Sequence, residues 1–253
     1  MRLFLFIVFA VYFSSCSISP YQDSLPEQKN FTLSLKFDAT WNEDPFQLDR
    51  IIVDDYGNLI RPSLFMHYVS FITLIAEDGT EVPVKDFMLI DYERTNEALV
   101  EVPANKYTSM KFGLGVPPDF NKDQDPAQYP SSSPLSVAGC QGMFWTWNTG
   151  YIFSKFEGYA DTSAVDGTEF LEPIAIHAGD DESYRSFQSL PFELNVGDNS
   201  SVIVVRLQVD EIFSPSQGSD VNLANDAVTH TSNNPQLARD FMDNLTAAFK
   251  IVI

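Results

Sequence analysis

The chain has 253 residues and carries 35 acidic against 15 basic side chains, a formal charge of −20. Such a field repels nucleic acid and anionic headgroups, which excludes both as partners held by charge. A hydrophobic content of 44% over this length supplies one sizeable core, and no linker interrupts the pattern, so one folded domain is expected.

Taken in chain order, the first segment reads as a leader. Met1-Arg2 is a minimal positive start, and Leu3 to Phe13 is an apolar run too short to remain as a membrane span. Phe13-Ser14-Ser15-Cys16 has the small residues before cysteine of a lipoprotein cleavage site, although Phe13 stands where leucine is usual. The expected division is a signal peptide over 1–15, a tether over 16–29 that starts with lipidated Cys16, and the domain over 30–253. A plain secretory leader cut near Ser15 is the alternative. Either implies an extracytoplasmic protein. The lipoprotein reading puts it on a membrane of the periplasm or at the outer membrane, touching lipid through its anchor only. With Cys16 acylated, Cys140 is the one thiol left, so no internal disulfide is expected. Cys140 reads as a buried small hydrophobe or as a soft metal ligand.

Phe31 to Phe37 alternates, with Phe31, Leu33, Leu35 and Phe37 on one face and Thr32, Ser34 and Lys36 on the other. Further strands are expected over 67–76, 87–92, 98–102 and 107–113, with turn signals at Asp55-Tyr-Gly57-Asn58 and Asp78-Gly79. Residues 117–137, rich in Pro, Asp, Gln and Ser, read as a long excursion. A strand over 144–156, kinked at Gly150, then strands over 171–177, 187–194 and 201–213 complete the β pattern. Leu237, Phe241, Leu245 and Phe249 recur every four residues, which predicts a helix over 234–249 capped by Asn233 or Asn234, with Pro235 in its first turn. The fold class expected is all-β, an antiparallel β-sandwich with long loops and one C-terminal helix.

Enzyme signatures are missing: no nucleophile elbow, phosphate loop or dinucleotide fingerprint occurs. No catalytic residue is assigned, and the chain reads as a binding protein, not an enzyme. The acidic stretches Asp119 to Asp125 and Asp180-Asp181-Glu182 lack the pattern of a calcium loop and read as solvated loops. Only three histidines occur, His67, His177 and His230. None is paired at short spacing, so spacing alone assigns no metal site. His177 ends a strand before a glycine turn, a position from which a side chain can reach a pocket at a sandwich edge.

The most informative stretch is Met143-Phe-Trp145-Thr-Trp147-Asn-Thr-Gly150-Tyr151, followed by Glu157-Gly158. On a continuous strand Met143, Trp145 and Trp147 would share one face. This pattern resembles the MbnP-like copper-binding family of bacterial secreted proteins. Other pieces are similar in the same order: Leu33 to Phe37, Pro45-Phe-Gln-Leu48, Tyr68-Val-Ser70, Asp78-Gly79, Leu89-Ile-Asp91-Tyr92, Val102-Pro103, Phe112-Gly-Leu-Gly-Val116, Ile176-His177-Ala-Gly179, His230, Asn244 and Phe249. Pro117 stands where the family usually has aspartate. The resemblance covers residues 30 to 250.

The resemblance implies an extracytoplasmic protein that binds copper for acquisition or delivery. His177 and His230 match histidine positions of the family and are the first and second candidate ligands; His67, where the family does not insist on histidine, is the third, and Met143 is a further candidate as a soft sulfur donor. The resemblance further implies that Trp145 or Trp147 is oxidised to kynurenine by a partner di-haem peroxidase-like enzyme. Kynurenine exposes an aniline nitrogen and a carbonyl that indole lacks, and these help hold copper. Trp41, outside the motif, reads as packing. The alternative function is a surface β-sandwich that binds a protein or glycan without metal; an oxidase subunit using the same copper is a third.

The anchor is tested directly. Cys16→Ala should move the protein from the membrane to the soluble fraction on fractionation, since several acyl chains hold firmly and none leaves only the tether. A wild-type protein already soluble after export would sink the lipoprotein reading.

Overall fold

The computed structural model describes residues 29–147, 150–161, 163, 169–187, 189–197, 201–224 and 227–253. The leader, Cys16 and the tether up to residue 28 lie outside the described residues. In chain order come β1 (Asn30–Trp41), β2 (Asp44–Pro45), β3 (Ile52–Val53), β4 (Leu59–Ala76), β5 (Glu81–Asp91), β6 (Asn96–Pro103) and β7 (Asn105–Leu114). A helical turn, α1 (Pro118–Asn121), opens the long excursion. There follow β8 (Phe144–Trp145), β9 (Gly150–Tyr151), β10 (Ser154–Asp161), β11 (Glu172–Ala178), β12 (Arg185–Ser186), β13 (Leu190–Val196) and β14 (Ser201–Gln208). The last elements are α2 (Asp210–Phe213), β15 (Val228–Thr229), α3 (Pro235–Ala247) and β16 (Phe249–Val252).

Two sheets carry the sandwich, as expected for an all-β chain. The first has the order β16-β14-β1-β2, with β6 also on β1. The second runs β12-β7-β4-β10-β11-β15, with β13 on β7 and both β3 and β5 on β4. β1 forms because its alternation matches the pleat: Leu33, Leu35 and Phe37 are buried. Its outward side chains instead make polar pairs, Thr32 Oγ1 donating to Glu101 (2.6 Å), Ser34 Oγ to Glu97 (2.6 Å) and Arg206 to both oxygens of Asp38. The rings of Phe37 from the first sheet and Phe112 from the second meet edge-on at 6.2 Å, and Phe112 meets Phe249 of β16 at 5.7 Å. Phe156 joins the second sheet to α2, 5.2 Å from Phe65 and 4.9 Å from Phe213, and Phe213 passes the contact to Phe241 of α3.

Three expectations are corrected in detail. The sandwich is not wholly antiparallel: β1 runs parallel to β14, from Leu33↔Ser201 to Thr40↔Gln208, and β11 runs parallel to β15. The run expected as one strand over 144–156 is a small hairpin, β8 on β9, with β10 starting afterwards at Ser154. The strand expected over 201–213 stops at Gln208, and α2 takes its last residues, with the Asp210 carboxylate accepting from the Asn42 amide (3.1 Å). α3 does begin as predicted: Pro235 sits in the first turn and Asn234 Oδ1 accepts from the Leu237 amide (3.3 Å). Phe249, the last of the four-residue series, belongs to β16.

Phe156 has no exposed surface and bridges sheet and helix. Phe156→Ala should cost about 3–5 kcal/mol in urea denaturation, the usual loss for truncating a buried aromatic. A loss under about 1 kcal/mol would show that this contact does not couple the two layers.

Candidate functional site

The register of the second sheet decides which histidines meet. Opposed residues share a face. Lys155 pairs with His177 across β10 and β11, and Ile176 pairs with Thr229 in the parallel step to β15, so His230 follows beside His177 on the outer face. The two imidazole rings lie 4.7 Å apart at 81°. Glu157, two residues along β10, accepts from or shares a proton with His177 Nε2 at 2.8 Å, and Lys155 Nζ lies 3.2 Å from the same carboxylate oxygen. Nδ1 of His177 is the ring nitrogen left over. The ring of His230 makes no side-chain hydrogen bond among the described residues; its amide donates to Asn233 Oδ1 (2.6 Å).

Thr231 fixes the pair. Its hydroxyl donates to the His177 carbonyl and accepts from the Gly179 amide, both at 3.0 Å. It does so from a left-handed backbone, φ 62°, which is strained for a β-branched residue. The neighbouring Thr229 hydroxyl accepts from the Thr231 amide (3.0 Å) and donates to the Asn234 carbonyl (2.9 Å), tying the turn to the cap of α3.

The charges around the pair shift two of its groups. The hydrogen bond from His177 and the nearby Lys155 charge hold the Glu157 carboxyl at about 2, against a smaller opposing effect of burial. His230 is shifted below the ordinary histidine value, first by burial and then by the proximity of His177 and Lys155, with Glu157 opposing. Its lone pair is therefore available at neutral pH.

The tryptophan hairpin sits over the end of β11. Gly179, two residues past His177, has no room for a side chain: a Cβ there would fall 2.4 Å from the Tyr151 carbonyl and 3.0 Å from Trp145 Cζ3. Trp145 is 5% exposed, whereas Trp147, in the turn, is 64% exposed, and their rings are 5.6 Å apart. The two indoles thus differ in access although both belong to one motif. The long excursion holds the hairpin from below. Asn121 is buried, donating to Asp181 (2.9 Å) and accepting from the Tyr151 amide (2.8 Å), and the Tyr151 hydroxyl donates to the Leu135 carbonyl (2.6 Å). Gly158 explains the glycine after Glu157: a Cβ there would lie 2.6 Å from the Arg61 carbonyl of β4.

The MbnP family model matches residues 30–233, most of the chain. The chain belongs to the MbnP family. Among solved structures, MbnP from Methylosinus trichosporium is similar at a TM-score of 0.50 and 14% identity, over 75% of this chain and 79% of that one, a likeness of fold. No match is found among curated proteins.

Within this MbnP domain the predicted site residues separate. His177 and His230 come together. His67 does not join them: it pairs with Ser154, one step off the Lys155–His177 register, which puts it on the inner face of the same sheet. It is fully buried, its Nε2 3.0 Å from the Tyr92 hydroxyl, and burial drives its pKa down to about 3. Met143 is fully buried in the core, its carbonyl accepting from the Ile152 amide (2.9 Å). Cys140 is a buried free thiol bonded to the Val137 carbonyl (3.5 Å). Among the described residues no group of three or more His, Cys, Asp or Glu side chains forms a metal cage. Sequence reading missed Lys155, Thr231 and Asn121, and it had Glu157 only as a motif letter; the motif's Glu-Gly step was the one signal for it.

The pH dependence follows from Glu157. Its folded pKa is depressed from the ordinary 4.5 to about 2. Its contribution to stability is therefore complete above about pH 4.5 and is lost as pH falls toward 2. The stability gap between wild type and Glu157→Gln should close over that interval in urea titrations. A gap that persists unchanged at pH 2 would contradict this.

Proposed function

We propose that this protein binds one copper ion outside the cytoplasm, for acquisition or delivery, at His177 and His230. The observation that carries the reading is the imidazole pair on the sheet's outer face, one ring oriented by a carboxylate. A ligating histidine ordinarily gives its second nitrogen to such a partner, which fixes the ring and raises its basicity. Here Glu157 takes Nε2 of His177, so Nδ1 would face the ion. Imidazole nitrogens suit copper. Two are too few to complete a shell, and Trp145, whose indole lies against Gly179, is the residue from which a further donor would come after oxidation. Conversion to kynurenine by a di-haem peroxidase-like partner, with peroxide as the oxidant, inserts two oxygen atoms into the indole, and hydrolysis by water then releases one carbon as formate. Trp147 lies with its ring tilted at 46° to that of Trp145 and stands at the surface where a large oxidant would approach.

Copper binding should weaken at least about 10–100-fold in His177→Ala and in His230→Ala, measured by competition with a colorimetric Cu(I) chelator, while His67→Ala acts on stability and leaves affinity unchanged. Wild-type affinity in both outer-face variants would remove the site. Protein co-expressed with its partner oxidase should gain, net, one oxygen for one carbon lost, and fragmentation should place the change on Trp145. Unmodified tryptophans in the native host would remove the kynurenine from the reading.

A further inference from the structure

Lys155 stands directly opposite His177 in the β10–β11 ladder, so both side chains project from the outer face. Glu157 joins them there: its Oε1 lies 2.8 Å from His177 Nε2 and 3.2 Å from Lys155 Nζ. The ammonium is thus one carboxylate oxygen away from the His177 ring. The Lys155 side chain is 20% exposed and that of Glu157 33%, so water screens neither charge fully.

Glu157 has a role in orienting His177. Lys155 has none of that kind, since the carboxylate alone holds the ring and Lys155 makes no hydrogen bond to either imidazole among the described residues. Its charge nonetheless reaches the pair. It helps to hold the Glu157 carboxyl down, and with burial and His177 it lowers His230 below the ordinary histidine value.

The sum of charges gives Lys155 a purpose. Imidazoles that bind a metal do so in their neutral form. Glu157 then brings one negative charge and Lys155 one positive charge, so the four side chains together present no net charge to an entering ion. The cost of taking an ion out of water rises with the square of its charge, whereas attraction to a fixed counter-charge rises only in proportion. A site without net negative charge therefore repays a dication least. With Lys155 removed, the same imidazoles would sit beside an uncompensated carboxylate, on a chain whose formal charge of −20 already draws cations of any kind.

We propose that Lys155 is the residue that selects a singly charged ion, Cu(I), over a dication such as Cu(II) at the histidine pair, by cancelling the charge of Glu157. This selection rests on the copper site proposed for His177 and His230. Lys155 donates nothing to the ion and acts on it through charge alone.

Competition titrations of the purified protein test it, with a Cu(I) chelator under reductant and a Cu(II) chelator in air. Binding at the site is the part lost in His177→Ala. In Lys155→Met, and in Lys155→Gln as a second variant, affinity for Cu(II) should rise relative to Cu(I) by about tenfold, since one unit of charge several Å away acts twice as strongly on the dication. Lys155→Arg keeps the charge and should keep the wild-type ratio. The double variant Glu157→Gln with Lys155→Met is again without net charge and should return toward that ratio. An unchanged ratio in both neutral variants overturns the selection while leaving the copper site standing, and so does an equal change for the two ions, which would mark a structural role. Binding that His177→Ala does not reduce in either oxidation state removes the copper site, and the selection with it.

Discussion

The hydroxyl of Thr231, held between the His177 carbonyl and the Gly179 amide, is the contact on which the outer-face site depends. β15 adds only two residues of ladder to β11, Val228 and Thr229, too few to fix a neighbour's position by backbone bonds alone. The threonine turns that short ladder into a defined corner. It does so from a left-handed conformation whose cost is of order 1–3 kcal/mol, offset by four hydrogen bonds around Thr229 and Thr231. Strain of this kind persists where the surroundings over-determine it, and here they do so on both flanks of His230.

The second sheet also acts as a partition. Phe65, His67 and Phe156 lie on its inner face; Lys155, Glu157, His177 and His230 lie on its outer face. One step of register separates two chemistries. Inside, an imidazole stays neutral because burial penalises its charged form. Outside, a half-exposed carboxylate orients one histidine of a pair, with a lysine beside it. A single metal ion cannot be shared between the two faces, which is why the histidines divide as two and one.

What could be read from sequence follows the range of each signal. β1 was legible because period-2 alternation is local, and α3 because four-residue spacing and the Asn-Pro start are local too. The parallel pairing of β1 with β14 was not, since two alternating strands carry no mark of their relative direction. The aromatic run after Met143 read as one strand because its residues favour β structure throughout, yet pairing of Phe144 with Tyr151 folds it back on itself. His177 stood out as a strand-end residue before glycine. That it meets His230 depends on the β11–β15 register, and that Glu157 orients it depends on a cross-strand diagonal. Neither is written in local pattern. Family resemblance supplied the histidines and the tryptophan motif; only the folded sheet shows which of them are neighbours.

The place of β1 has a consequence for the timing of folding. The first strand of the domain is an interior strand of its sheet, flanked by β6 on one side and by β14 on the other. A chain emerging from its N-terminus can form the β1–β6 pair early, but Leu33 to Thr40 cannot find their second neighbour until Ser201 to Gln208 have been made. The β16 edge that closes over β14 comes later still. Closure of the first sheet therefore waits for nearly the whole sequence. Such long-range pairing is slow, and until it forms one side of β1 stands open, although β4, β5 and β7 can already pair within residues 59–114.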